Sequence, residues 1–282
     1  MRKFLLTSLA LVLSCFASHA QTDIDAEFFS LPESITPEYL DSIEIKSVKP
    51  NDYWEVGVFG GASFQYGYFN PTRLLTWHMK YPVYGVSVIR HFTMFGIFPN
   101  MGLEFGVQQN YEGYEFKTNE ETGSRATESG AYKVSMEVPE AFFLSHFHID
   151  ASDHFKLLVK LGLYGGYRTS IERTLDPAYA SSSTYTQYVN SFRDYDRRWT
   201  YGVQGGVGFG IMLDPIEIHF NVQVKWGWES FWEPDYANQY YYRFAYPLDL
   251  APTFGIYYHL TPRHGHTRGQ LKRMAKEIVE NQ

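Results

Sequence analysis

Cysteine is almost missing from this chain: one in 282 residues, Cys15, inside an N-terminal segment that reads as a signal. The remainder therefore has neither a disulfide framework nor thiol chemistry. Long apolar runs are missing too. Beyond residue 16 nothing approaches the about 20 consecutive apolar residues of a membrane-crossing helix. Basic excess is absent: 24 Lys and Arg stand against 31 Asp and Glu, a net charge of −7, which argues against nucleic acid as a partner. Aromatic residues are abundant instead, at 18%, with 23 Tyr and 22 Phe, although mean hydropathy is slightly negative. A barrel accommodates both facts, because only alternate residues of its strands meet lipid.

Tyr53–Phe69 carries this pattern most clearly. Trp54, Val56, Val58, Gly60, Ala62, Phe64, Tyr66 and Tyr68 share one face; Glu55, Gly57, Phe59, Gly61, Ser63, Gln65 and Gly67 share the other. The first face carries no charge and is aromatic at both ends, as expected of a strand crossing a bilayer. Seven further stretches read as strands: Val83–Phe92, Met101–Lys117, Ala131–Ile149, Phe155–Ile171, Arg197–Leu213, Ile216–Trp228 and Arg243–Leu260. Their connections alternate long and short, the rhythm of long external loops and short periplasmic turns. Closure is required, since an open sheet would leave backbone groups unpaired in lipid. The expected fold is all-β: an eight-stranded antiparallel transmembrane up-and-down barrel over residues 53–260, with both ends periplasmic. Ten strands is the alternative, if Tyr185–Phe192 also pairs. Within Ala131–Ile149, Tyr132, Val134, Met136 and Val138 read as outward, and a bulge at Pro139 is expected to reset the register so that Glu140 avoids lipid.

Residues 1–20 read as a signal peptide, with Arg2 and Lys3, an apolar Phe4–Phe16, and small residues at Ser18 and Ala20. Acylation at Cys15 is the competing reading. Residues 21–52 read as an acidic, proline-containing periplasmic leader, partly extended with a short strand at Ile43–Val48, or as a disordered tail. Residues 261–282 read as a short amphipathic helix, with Leu271, Met274, Ala275, Ile278 and Val279 on one face, that docks to a periplasmic partner, lies against the inner leaflet or stands alone. The implied location is the bacterial outer membrane.

An eight-stranded barrel has an interior just wide enough to be filled by side chains. The inward polar network is expected to be Glu55, Glu104, Glu137, Lys156, Lys160, Arg168, Arg198, Glu217 and Lys225, with Glu137 and Lys160 as one ion pair. The lipid-facing set is expected to include Trp54, Val56, Val58, Phe105, Val107, Val203, Val207, Phe220 and Val222. A plugged interior is the main reading; a small porin or narrow channel is the alternative. His146 and His148 share a face, and His264 and His266 repeat the spacing, but a third and fourth ligand are not evident. No metal and no cofactor are assigned, and these histidines read as interfacial. A rim hydrolase is the second alternative. The external loops offer one histidine, His78, and the carboxylates Asp176, Asp194, Asp196 and Asp235; no catalytic set emerges, and the chain reads as not an enzyme. Ser181–Tyr195 and Glu229–Tyr242, rich in Tyr, Trp, Ser and Asn, read as a recognition surface or an interface belt.

Three segments carry a family likeness: Tyr132–Pro139 (YKVSMEVP), Gly162–Tyr167 (GLYGGY) and Gly202–Gly210 (GVQGGVGFG). Across Tyr53–Leu260 the chain resembles the PorT-like outer-membrane barrels of the Bacteroidota. The resemblance implies the barrel fold and, from the namesake branch, an association with protein secretion and gliding machinery; it supplies no catalytic residues. The acidic leader and the basic helical tail depart from it. The expected role is structural or interaction-based, with outer-membrane lipid and a periplasmic or cell-surface protein as partners.

Overall fold

Strand β1, Tyr53–Asn70, closes the fold. It pairs on one side with β3 (His78–Met94) and on the other with β10 (Phe244–His259), the last strand. The remaining ring strands are β4 (Phe98–Phe116), β5 (Ala131–Ser152), β6 (Phe155–Tyr167), β8 (Trp199–Leu213) and β9 (Ile216–Gly227). The ring runs β1-β3-β4-β5-β6-β8-β9-β10 and back to β1, with every pair antiparallel. This is an eight-stranded up-and-down barrel. Two short strands, β2 (Leu75–Thr76) on β4 and β7 (Ser170–Leu175) on β5, lengthen the wall at the long-loop end. The computed structural model describes residues 52–94, 98–152, 154–236 and 242–261. The expected signal, the leader up to residue 51 and the tail from residue 262, with His264 and His266, lie outside them.

Alternation builds the wall as a period of two requires. Val58, Val86, Phe105, Val107, Leu161, Val207, Val222 and Ile256 point out and are exposed. Aromatic side chains stand at both rims: Trp54 and Tyr258 near the short turns, Tyr68, Trp199, Trp226 and Trp228 near the long loops. Arg90, at the short-turn rim, lays its guanidinium 5.2 Å from the Trp54 ring centre, a long cation reaching out of the apolar band.

The reading of β5 needs correction. Its pairing with β4 is continuous from Met101↔Phe147 to Glu115↔Lys133, straight through Gln109↔Pro139. Val134, Met136, Val138 and Glu140 all point inward, and Glu137 is exposed. No bulge lies in β5 at Pro139. The register shift falls on the neighbouring strand: between Glu140↔Gly166 and Glu137↔Ser170, Val138 and Pro139 oppose three residues, Tyr167–Thr169. A proline has no N–H to donate, so the interruption between β6 and β7 is placed where the ladder needs no donor. Inward parity then switches from even numbers (Tyr164, Gly166, Arg168) to odd (Ile171, Arg173). The ten-strand alternative fails as well: Ser183–Thr186 is a short helix, α1, and turns follow it through Ser191.

Candidate functional site

The barrel interior is stacked in layers, each built from inward positions of several strands. Nearest the short turns, Glu217 of β9 accepts from Tyr53 Oη (3.0 Å), His219 Nε2 (3.0 Å) and His259 Nε2 (3.0 Å), and is ion-paired with Lys156 of β6. Beside it His91 Nε2 donates to Glu55 Oε1 over 2.7 Å. With His259, five imidazoles gather here: the His91 ring centre lies 5.3 Å from that of His146 and 5.0 Å from that of His148, and His146 lies 6.3 Å from His219. One step further in, Lys160 Nζ meets Glu104 Oε2 at 2.6 Å, and Ser87 Oγ donates to Glu104 Oε1 at 2.9 Å. An apolar layer of Phe59, Phe142, Leu144 and Tyr164 follows.

Beyond that layer Lys225 pairs with Glu140 and lies 3.4 Å from Asp249, while Gln108 Nε2 donates to Glu140 at 2.7 Å. Next, Arg168 holds Glu112 through Nε (2.9 Å) and Nη2 (2.8 Å), and Thr200 Oγ1 donates to the same carboxylate at 2.8 Å. Each charge is removed from water, so pairing and additional hydrogen bonds are what make burial tolerable. Seven of the residues expected in the interior occupy it: Glu55, Glu104, Lys156, Lys160, Arg168, Glu217 and Lys225 are all buried. Glu137 and Arg198 do not. Both are exposed, and Arg198 instead stacks 4.8 Å from the Tyr167 ring centre. The expected Glu137–Lys160 pair is replaced by Glu104–Lys160. His146 and His148, expected at the interface, are buried inside. Of the outward set, Trp54, Val56, Val58, Phe105, Val107, Val207, Phe220 and Val222 are exposed and Val203 is half-buried.

Glu112, Glu140, Asp249, His91, His219 and His259 complete the network. Glu112 continues the inward parity of Glu104 and Gln108, so that signal was available. Glu140 was hidden by the inverted polarity of β5.

An apolar cluster lies at the long-loop end of the barrel. Phe69, Tyr114, Phe116, Val134, Met136, Ile171, Phe231 and Trp232 are buried together. Phe231 and Trp232 come from the loop read as a recognition surface or belt; they turn inward instead. The loops above are braced to one another. Arg173 reaches Tyr188 O (2.6 Å), Ser191 O (2.7 Å) and Asp196 (2.6 Å). Glu128 accepts from Tyr236 Oη and lies 3.1 Å from Arg243. Arg193 Nη2 donates to Ser129 O at 3.1 Å. Burial, and after it the hydrogen bond to Glu128, pushes the Tyr236 hydroxyl above its ordinary range. The rim carboxylates thus brace loops: Asp196 holds Arg173, and Asp176 accepts from Ala178 N at 3.1 Å. His78 opens β3, with Nδ1 3.4 Å from Glu115.

A family model described as an outer membrane protein beta-barrel domain matches residues 46–231. No curated protein matches the chain. Among solved structures it is similar to the outer membrane protein OprG from Pseudomonas aeruginosa, with TM-score 0.40 and 12% identity over 76% of this chain and 100% of that one. It is similar also to Ail, the attachment invasion locus protein of Yersinia pestis (0.36, 10%, 74% and 99%), and to Neisserial surface protein A (0.38, 5%, 73% and 96%). These likenesses carry no assignment of activity.

Proposed function

The chain belongs to the outer membrane protein beta-barrel domain family, and from that premise we propose that this bacterial outer-membrane barrel is closed to solutes and acts by recognition at its long-loop end. The observation that supports this reading is the capped mouth. Phe231 and Trp232 are buried over the barrel, and the loops at residues 117–130, 176–196 and 229–236 are cross-braced through Glu128, Ser129, Arg173, Arg193 and Asp196. A braced surface loses little conformational freedom when a partner binds, which favours affinity. Beneath the cap, paired charges and aromatic rings occupy successive levels of the interior.

In this reading the long loops face the outside and the chain ends face the periplasm. The signal at residues 1–20 exports the chain, and the leader and tail offer periplasmic contacts. The PorT-like resemblance favours a partner in secretion machinery, and the role is not enzymatic. Two measurements test it. In planar bilayers the purified protein gives no steady openings; steady nanosiemens-scale openings would replace recognition with conduction. Cross-linking in intact cells from single cysteines at Ser181 and Thr122 captures a discrete protein partner, and only background labelling from both sites would remove the recognition role.

A further inference from the structure

We propose that the short-turn half of the barrel is a binding site for a transition-metal ion of the imidazole-preferring kind, such as zinc or cobalt, held by His91, His146 and His219, with Glu55 behind His91 as the carboxylate that orients it. His146 carries the inference. It is fully buried, and neither ring nitrogen has a hydrogen-bond partner. A buried polar group left in that state calls for an explanation, and an ion is one.

Its neighbours have the form of metal ligands. His91 gives Nε2 to Glu55, and His219 gives Nε2 to Glu217; in both rings Nδ1 is left without a partner. A metal-binding histidine characteristically donates one N–H to a carboxylate, which fixes the tautomer and frees the other nitrogen for the metal. With nitrogen about 2.0–2.1 Å from a tetrahedral ion, ring centres stand roughly 5 Å apart. His91 and His146 stand 5.3 Å apart, at that spacing, and His146 and His219 stand 6.3 Å apart, so binding the ion requires His219 to move toward the other two. Glu55 and Glu217 stand on the Nε2 sides of the His91 and His219 rings, where they orient the ligands and do not bind the ion themselves.

The backbone makes room for this convergence. Gly102 of β4 lies between His91 and His146 in register. A Cβ there would come 3.3 Å from His91 Nδ1 and 3.4 Å from His146 Cβ. The local charge has the right sign. Lys156 is taken by Glu217 and Lys160 by Glu104, while Glu55 has His91 as its only ion-pair partner among the described residues. With neutral imidazoles one carboxylate charge remains to be offset. Nitrogen ligands favour zinc, cobalt, nickel or copper over magnesium or calcium.

The test uses the mature full-length chain carrying His264→Ala and His266→Ala, refolded into detergent with Co2+ or Zn2+, because a site this deep loads as the barrel closes. Expected are one equivalent of metal retained through chelator and gel filtration, and visible Co2+ bands of four-coordinate intensity. Glu55→Gln weakens retention about 10–100-fold; His146→Phe and His219→Gln abolish it; His78→Ala, at the opposite end, leaves it unchanged. X-ray absorption on the unsubstituted site counts imidazole ligands without relying on variants that refold poorly. Metal lost on gel filtration, metal retained by folded His146→Phe, or fewer than three imidazoles at the metal would overturn the proposal.

Discussion

Lys160 shows what a single buried charge demands. Its ammonium is inside the barrel, with Glu104 at 2.6 Å. Glu104→Leu leaves that cation buried without its carboxylate and is expected to cost about 3–5 kcal/mol. Adding Lys160→Met to the same chain removes the orphaned charge and restores most of the loss. Urea titration of the barrel in lipid vesicles measures both, and a double variant no better than the single would show that the pair is not the unit. Tyr236 gives a pH signature at the same scale. Its hydroxyl is held above the ordinary tyrosine value of about 10. The folded chain therefore keeps that proton where the unfolded chain loses it. The stability it contributes is complete below about pH 10 and declines as pH rises above that value. Tyr236→Phe flattens this part of the alkaline unfolding curve; an unchanged slope would separate Tyr236 from it.

At the scale of one strand, β5 shows why alternation has a sign that must be known. From Ala141 to Ile149 outward side chains such as Phe143, Phe147 and Ile149 are apolar and exposed. From Val134 to Val138 the apolar residues point inward to the cap and Glu137 points out. An exposed Glu137 with an apolar cluster behind it is what a wall segment beyond the lipid band requires, with water outside. Met136→Ala is expected to destabilise the barrel by about 2–5 kcal/mol, while Glu137→Ala stays within about 0.5 kcal/mol. The opposite ranking in the same vesicle assay would reinstate an outward-facing Met136.

For the whole molecule, the proposed closure would be redundant. The cap lies over the Glu112–Arg168 layer, which lies over Lys225 with Glu140 and Asp249, then the Phe59–Phe142 layer, then the histidines. Removing the lid alone should not open a pore. Phe231→Ala with Trp232→Ala is expected to lower stability yet give no steady conductance in planar bilayers, because the charged layers remain filled. Conductance from that variant would place the barrier in the cap alone.

Read by itself, the sequence determined the barrel: eight alternating stretches, the rhythm of their connections and most of the outward apolar face. Those features are local, since side-chain direction follows from a period of two within one strand. Seven interior charges were legible for the same reason. What surrounds a strand segment is not local. Only closure of the ring decided that Glu137 meets solvent, that Glu140 meets Lys225, and that Phe231 and Trp232 fold inward as a lid. It also brought His91 and His219, from strands far apart in the chain, beside His146. Such convergence depends on which strands become neighbours across the lumen, and no spacing within a single strand encodes it.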